Sequence, residues 1–127
     1  MAGEPILIVD DNQLNLKLTR ILLEKNGYMV RTAGDGNEAL ALLAEFSPKL
    51  ILMDLQLPGM DGLEVTRRIK SNPSMSAIIV VALTAYAMKG DEEKARAAGC
   101  DGYITKPIDT RTLPTQIREY LDSPSNN

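Results

Sequence analysis

Short runs of apolar residues recur along the chain without an interrupting charge. Three of them cover Ile6 to Val9, Leu50 to Met53 and Ile78 to Leu83. Unbroken apolar runs of this length are typical of parallel strands that helices cover on both faces. Two further runs, Met29 to Ala33 and Gly102 to Thr105, mix apolar with polar residues. The contrast predicts three central strands and two edge strands.

Between these runs, apolar residues recur at helical spacing. The resulting stripes are Leu14, Leu18, Ile21 and Leu22; Ala39, Leu40, Leu43 and Ala44; Leu63, Val65 and Ile69; and Leu113, Ile117, Tyr120 and Leu121. Charge indicates a further helix, because acidic residues from Asp91 to Glu93 precede basic ones, the order that the helix dipole favours. Asp61 followed by Glu64 has the spacing of a capping box, and Pro114 places the start of the last helix near Thr112.

The alternation of five strands with five helices predicts the architecture. Short loops between them favour an α/β fold, with one parallel sheet and helices on both of its faces. If the mixed runs form the edges, the strand order is 2-1-3-4-5, and ligands bind at the carboxyl ends of strands 1 and 3. A chain of 127 residues is the size of one domain, so we expect a domain over residues 1–122 and a short polar tail over 123–127.

Composition removes several classes of function. The chain carries 14 Lys and Arg against 17 Asp and Glu, and only 4% aromatic residues, which argues against nucleic-acid binding. The absence of His excludes serine-type triads, zinc sites with His ligands and a phosphohistidine carrier. A single cysteine, Cys100, is typical of a reducing compartment. The longest apolar run, Ala77 to Ala85, is too short to span a bilayer, so we expect a cytoplasmic protein without a membrane partner.

Polar residues follow the predicted strands at the edge where ligands would bind. Asp10-Asp11 follows the first strand, Asp54 the third, Thr84 the fourth and Lys106-Pro107 the fifth. Taken singly, each has an ordinary explanation as a helix cap, a turn residue or a solvated lysine. Together they need another one, because carboxylates about 4 Å apart repel by roughly 4 kcal/mol per pair at an effective dielectric constant of about 20. A cation must offset that repulsion.

Lys106 supplies one positive charge, and a divalent metal ion can supply the rest. Carboxylate oxygens without imidazole or thiolate nearby suit a hard cation, and Mg²⁺ is usual where phosphate completes its shell. A metal-backed carboxylate beside a hydroxyl and an ammonium group suits phosphoryl transfer. Asp54 can then act as the nucleophile and form an aspartyl phosphate, while Thr84 and Lys106 each hold one phosphoryl oxygen.

These residues resemble the receiver domain of two-component response regulators, a family with the CheY-like, flavodoxin-like fold. The resemblance covers roughly Ile6 to Leu121. It rests on four motifs, which are Ile8 to Asn12, Met53 to Gly62, Leu83-Thr84-Ala85 and Lys106-Pro107. Any one of the motifs is weak by itself, whereas all of them in this order and at this spacing are specific.

The resemblance implies a role for each matching residue. Asp54 would accept the phosphoryl group, Lys106 would pair with it, and Pro107 would follow a cis peptide bond. The Mg²⁺ ligands would be the carboxylates of Asp10, Asp11 and Asp54 and the backbone carbonyl of Gln56. Thr84 would move toward the phosphate and Tyr103 would turn inward with it, although Tyr103 also fits a half-buried aromatic residue on an edge strand.

Partners follow from the same resemblance. A histidine kinase or a histidine phosphotransfer protein would supply the phosphoryl group. A downstream protein would bind the surface formed by the fourth helix, the fifth strand and the fifth helix, which the movement of Thr84 and Tyr103 changes. The segment Ala85 to Glu93 also resembles single-domain cell-cycle regulators of the DivK type and receivers attached to hybrid histidine kinases.

Several functions share this set of residues. A switch that acts through protein contacts, a phosphorelay intermediate and the excised receiver of a hybrid kinase all need the same aspartate pocket. A phosphatase with an aspartyl-phosphate intermediate typically carries a second acidic residue two positions after the nucleophile, where this chain has Gln56. We therefore expect no enzyme beyond the chain's own phosphorylation and dephosphorylation.

Overall fold

The computed structural model describes residues 3–57, 59, 61–84 and 89–122. Strands and helices alternate through this part of the chain. In order they are β1 (Pro5–Val9), α1 (Gln13–Lys25), β2 (Met29–Ala33), α2 (Gly36–Leu43), β3 (Leu50–Asp54), α3 (Gly62–Ser71), β4 (Ile79–Thr84), α4 (Lys89–Ala98), β5 (Gly102–Thr105) and α5 (Leu113–Asp122). Among the residues described, no helix has the length and apolar character needed to cross a membrane.

The strands form one parallel sheet in the order β2-β1-β3-β4-β5. Ile8 of β1 pairs with Leu52 of β3, and Asp54 of β3 pairs with Leu83 of β4. The chain changes direction across the sheet between β1 and β3, so the loops that follow these two strands diverge there and leave an opening. The predicted α/β fold and strand order are confirmed.

Two apolar layers cover the sheet, because successive side chains of each strand point to opposite faces. One layer joins β1, β3 and β4 to α2, α3 and α4, and its buried members include Leu7, Ile51, Val80, Ala39, Val65, Ile69 and Ala95. The other joins the same strands to α1 and α5, and its buried members include Ile8, Leu52, Val81, Leu16, Leu23, Leu113 and Ile117. Helices therefore cover both faces, as the unbroken apolar runs indicate.

The edge strands differ from the central ones as their mixed composition predicts. Every residue of β3 is buried, whereas β2 exposes Met29 and Arg31. The guanidinium of Arg31 lies over the ring of Phe46, 5.2 Å from its centroid. A charged side chain on an edge strand discourages pairing with a second chain.

β4 begins one residue later than predicted and ends on Thr84. Ile78 belongs to the preceding turn, where its N–H donates to the carbonyl of Met75 (3.0 Å) and its own carbonyl accepts from Lys70 Nζ (2.6 Å). Thr84 continues the strand and pairs with Thr105 of β5. The change from apolar Leu83 to polar Thr84 therefore does not mark the end of β4. Threonine is β-branched and suits extended backbone.

α1 turns a different face to the core from the apolar stripe that predicted it. The exposed fractions of Leu14, Leu18 and Ile21 are 64%, 54% and 42%. The residues that it buries are Leu16, Thr19 and Leu23. Because α1 is apolar on two faces, its periodicity identified the helix without identifying the face that packs against the sheet.

Candidate functional site

Three carboxyl groups meet where β1 and β3 end. One oxygen atom from each of Asp10, Asp11 and Asp54 can be chosen so that all lie within 4.8 Å of one another. Asp10 and Asp54 are each only 2% exposed, whereas Asp11 faces solvent. The cluster therefore has a buried floor and an open side through which a ligand can enter.

Backbone amides orient the two buried carboxylates. Oδ1 of Asp10 accepts a hydrogen bond from the N–H of Asn12 (2.9 Å), and Oδ1 of Asp54 accepts one from the N–H of Gln56 (2.9 Å). Each side chain thus bonds the backbone two residues later, as in an Asx turn. The side chain of Asn12 caps α1 by accepting from the N–H of Asn15 (3.0 Å). The helix cap is therefore Asn12, which leaves the preceding carboxylates for the cluster.

The fifth strand brings a lysine into the same cluster. Lys106 Nζ lies 3.0 Å from Oδ2 of Asp54 and 3.4 Å from Oδ2 of Asp10. The N–H of Lys106 donates to the carbonyl of Thr84 (2.7 Å), which extends the pairing of β4 and β5 to the lysine. The peptide bond between Lys106 and Pro107 is cis. One ammonium group therefore bridges the two buried carboxylates.

The charges in this cluster do not fully balance. Burial raises the pKa of Asp54 above its usual value of 3.8, and the charge of Asp10 raises it as well, against hydrogen bonds from Gln56 and Lys106 that lower it. Burial disfavours the charge of Lys106, but its hydrogen bond to Asp54 and the charges of Asp54 and Asp10 outweigh burial and raise the pKa of Lys106 above 10.5. Lys106 therefore stays charged at neutral pH, and further positive charge near Asp54 is favourable.

The donor atoms of the cluster suit a hard divalent cation. All are carboxylate oxygens, and the sequence offers no histidine. Cys100 is buried elsewhere, with its thiol 3.9 Å from the hydroxyl of Thr66, and burial raises its pKa to about 11. An oxygen-only cluster with one solvent-facing side fits Mg²⁺, which prefers oxygen ligands and keeps several waters.

The two remaining predicted residues lie on β4 and β5. Thr84 is buried and lies one residue beyond Leu83, the partner of Asp54 in the sheet. Tyr103 pairs with Ala82 and packs, partly buried, against the core layer of α2, α3 and α4. The segment Ala85 to Glu93, which carries the subfamily resemblance, lies outside the described residues at positions 85–88.

A groove beside the cluster was not predicted. It has a volume of about 510 Å³ between α1 and the segment after β5, and mostly apolar walls. Its lining residues are Asn15, Leu18, Thr19, Leu22, Lys106, Pro107, Ile108 and Thr110. The apolar stripe of α1 was the signal for it in the sequence, because Leu18 and Leu22 belong both to the stripe and to the groove. The groove shares Lys106 with the carboxylate cluster, so the two features adjoin.

Comparisons with known proteins all match this chain to the same family. The family described as "Response regulator receiver domain" matches residues 6–118. The polar-differentiation response regulators DivK of Brucella anthropi and Brucella ovis are each 49% identical over 116 residues, which is 91% of this chain and 94% of theirs.

Solved structures agree with the sequence matches. The receiver domain of the sensor histidine kinase PA1611 from Pseudomonas aeruginosa, solved with a magnesium ion coordinated in its active-site cleft, is 34% identical with a TM-score of 0.87, covering 96% of this chain and all of that one (100%). The chemotaxis response regulator CheY4 of Vibrio cholerae is 26% identical with a TM-score of 0.89, covering 94% of this chain and 99% of that one. The resemblance seen in the motifs therefore extends to the whole fold.

Proposed function

The chain belongs to the response regulator receiver family, whose members receive a phosphoryl group in two-component signalling, and on that basis we propose that Asp54 is its phosphoacceptor. The observation that carries the proposal is the convergence of Asp10, Asp11 and Asp54 within 4.8 Å, with Lys106 Nζ at 3.0 Å from Asp54. Structural ion pairs rarely concentrate this many carboxylates around one lysine, because the excess negative charge destabilises the fold.

Each residue has a chemical task in this proposal. A carboxylate oxygen of Asp54 attacks the phosphorus atom of the donor, the new O–P bond forms, and the bond from phosphorus to the donor's leaving group breaks. Lys106 and the hydroxyl of Thr84 each stabilise one phosphoryl oxygen. Mg²⁺, held by Asp10, Asp11, Asp54 and the backbone carbonyl of Gln56, would neutralise part of the charge that develops on the phosphoryl group.

The same residues limit what happens after transfer. Hydrolysis of an aspartyl phosphate needs a water activated by a nearby base, and dedicated phosphatases place an acidic residue for that purpose. The position two residues after Asp54 is Gln56, whose amide cannot take a proton from water. We therefore propose that the chain catalyses only its own phosphorylation and a slow dephosphorylation, so that the phosphoryl group persists as a signal.

We further propose that Thr84 and Tyr103 carry the signal to the surface of α4, β5 and α5. A phosphoryl group on Asp54 attracts the hydroxyl of Thr84, and Tyr103 on the neighbouring strand fills the space that Thr84 leaves. Thr84→Ala should accept the phosphoryl group yet show much smaller NMR shift changes over residues 89–121 than the wild type does. Equal shift changes at equal phosphorylation would remove Thr84 from this role.

The groove beside α1 is a candidate binding site for the protein that donates the phosphoryl group. We propose that its occupant is a helix of a histidine kinase or phosphotransfer protein. An apolar helix face fits the groove walls formed by the exposed Leu18 and the partly buried Leu22. A helix seated there would bring its phosphohistidine toward Lys106, which lines the groove and contacts Asp54.

Mass spectrometry tests the phosphoacceptor directly. Incubation with Mg²⁺ and a small acyl phosphate should add one phosphoryl group to the wild type, and Asp54→Asn should abolish the addition. Asp61→Asn is the matched control, because Asp61 is an exposed carboxylate in the same loop that caps α3 through the N–H of Glu64, and asparagine caps equally well. Undiminished labelling of Asp54→Asn would refute the proposal.

A further inference from the structure

The first residue of α3 lies directly against the backbone of the proposed phosphoacceptor. A Cβ atom at Gly62 would overlap the carbonyl oxygen of Asp54 and would lie only 2.9 Å from Cα of Leu55. Cβ atoms essentially never approach a non-bonded atom that closely, and both obstacles are backbone, which cannot rotate away as a side chain can. Gly62 therefore permits a contact between α3 and the end of β3 that no other residue type would allow.

Two other glycines of the chain, Gly90 and Gly99, lie in different environments and serve as comparisons. A Cβ atom at Gly90, in α4, would meet nothing within 4 Å. The atoms nearest to a Cβ atom at Gly99 belong to the flexible side chain of Lys70, and Gly99 has a φ of +108° that other residues rarely adopt. Gly99 is thus required for its own conformation, whereas Gly62 is required for the space that it leaves beside Asp54.

Several contacts hold α3 in place, so that it cannot easily retreat from β3. The side chain of Asp61 caps the helix, and the N–H of Gly62 donates to the carbonyl of Leu55 (3.4 Å). The hydroxyl of Thr66 donates to the carbonyl of Gly62 (2.8 Å) from a fully buried position. One turn further on, Ile69 is fully buried in the core. Added volume at position 62 would therefore displace the end of β3 rather than the helix.

The end of β3 is where the proposed site is most sensitive to displacement. Oδ1 of Asp54 is held by the N–H of Gln56, so a shift of the backbone between these residues rotates the carboxylate. The same shift moves the Gln56 carbonyl, which we propose as a metal ligand. Displacing catalytic or metal-binding atoms by about 1 Å is enough to impair catalysis substantially.

We propose that Gly62 is a positioning residue that sets the orientation of Asp54 and of the Gln56 carbonyl by allowing α3 to abut the end of β3. The proposal rests on the function proposed above, in which these groups bind Mg²⁺ and receive the phosphoryl group. Gly62 itself would contact neither the Mg²⁺ nor the phosphoryl group. Its effect reaches the site through the backbone from Asp54 to Gln56.

Three alanine variants separate positioning from stability. Gly62→Ala should weaken Mg²⁺ binding by about tenfold or more, the range found when groups that orient metal ligands are changed, and should slow labelling by acyl phosphate correspondingly. Gly90→Ala should bind Mg²⁺ as the wild type does. Gly99→Ala should lower the melting temperature because of its positive φ, with an unchanged Mg²⁺ dissociation constant. Calorimetric titration with Mg²⁺ alone measures the first property, and Asp11→Ala marks loss of binding.

The outcomes are separable. Wild-type Mg²⁺ affinity in folded Gly62→Ala would overturn the proposal, and so would an equal loss of affinity in Gly99→Ala. If the wild type binds Mg²⁺ but is never labelled, the proposed phosphoacceptor function fails, and the Mg²⁺ titration still decides the role of Gly62.

A second pair of variants covers the case in which Gly62→Ala does not fold. Thr66→Val removes the hydroxyl that holds the Gly62 carbonyl while keeping the side-chain volume, and Thr66→Ser keeps the hydroxyl. Weaker Mg²⁺ binding in Thr66→Val, with recovery in Thr66→Ser, would support positioning through α3. Identical Mg²⁺ affinity in Thr66→Val and the wild type would overturn it.

Discussion

α1 and α3 start alike and end in different environments. Each comes after a strand with a cluster aspartate at its carboxyl end, since Asp10 directly follows β1 and Asp54 is the last residue of β3. Each begins at a side-chain cap, Asn12 for α1 and Asp61 for α3. α3 then buries its apolar residues, with Val65 and Ile69 fully inaccessible to solvent. α1 instead leaves Leu14, Leu18 and Ile21 substantially exposed.

The difference indicates that the two helices beside the carboxylate cluster have different roles. The buried side chains of α3 fix the helix, and through Gly62 they fix the backbone of Asp54. The exposed apolar residues of α1 add little to the stability of the isolated chain, but one of them, Leu18, lines a groove next to Lys106. We interpret α3 as support for the site and α1 as the surface where the donor protein binds.

Truncation of one apolar residue on each helix should give the largest contrast in stability. Ile69→Ala removes a fully buried side chain from the core and should cost about 2–5 kcal/mol in the free energy of unfolding. Leu18→Ala truncates a side chain that is 54% exposed and should change that free energy by only about 0.5 kcal/mol in either direction. Urea denaturation measures both, and similar losses would contradict the division between the helices.

Leu18→Ala, which should hardly change stability, should have a clear effect on phosphoryl transfer from a protein donor. Leu18→Ala should slow transfer from a histidine-phosphorylated protein by about tenfold, because an apolar anchor at the centre of an interface commonly contributes more than about 1 kcal/mol to binding. Transfer from a small acyl phosphate should be unchanged, since that donor does not need the groove. The two rates are measured by intact mass at short times.

Met29→Ala provides the control for this transfer experiment. Met29 is also an exposed apolar residue, at 52%, but it begins the edge strand β2 and does not line the groove. Its truncation should leave both rates unchanged. Equal slowing by Leu18→Ala with both kinds of donor would assign Leu18 to the site itself and not to docking.

The smallest expected effect is a pH dependence of stability that arises from the buried carboxylate of Asp54, which precedes α3. The raised pKa of Asp54 means that the folded, metal-free protein holds this proton more tightly than the unfolded chain. The wild type should therefore lose stability as pH rises from 3.8 through the raised value, whereas Asp54→Asn cannot titrate there. The difference in melting temperature between Asp54→Asn and the wild type should therefore shift in favour of Asp54→Asn across that window and stay constant above it. A pH-independent difference between Asp54→Asn and the wild type would contradict this prediction.

Sequence alone predicted the fold and the members of the cluster for one physical reason. Apolar runs covered on both faces must be central strands, and the carboxyl ends of parallel strands meet at one edge of the sheet. Asp10, Asp54 and Lys106, far apart in the chain, were therefore expected together. The carboxylates of Asp10 and Asp54 both lie within 3.4 Å of the Lys106 ammonium group.

Other features depend on tertiary contacts that no local pattern contains. The buried face of α1 could not be chosen from its leucines, because the polar Thr19 is buried while Leu14 is exposed. The ion pair of Lys70 with Asp101 at 2.7 Å joins α3 to the start of β5 and left no spacing signal. The role of Gly62 was likewise invisible, because a glycine that leaves space looks the same in sequence as one that permits a turn.

Localisation of the phosphoryl group on the wild-type chain tests the phosphoacceptor assignment. After labelling with acyl phosphate and Mg²⁺, borohydride reduction converts an aspartyl phosphate to homoserine, which peptide mass spectrometry assigns to a single position. We predict homoserine at position 54, with Asp10 and Asp11 intact, and none without labelling. Homoserine at position 10 or 11, or a labelled chain with Asp54 intact, would contradict the account.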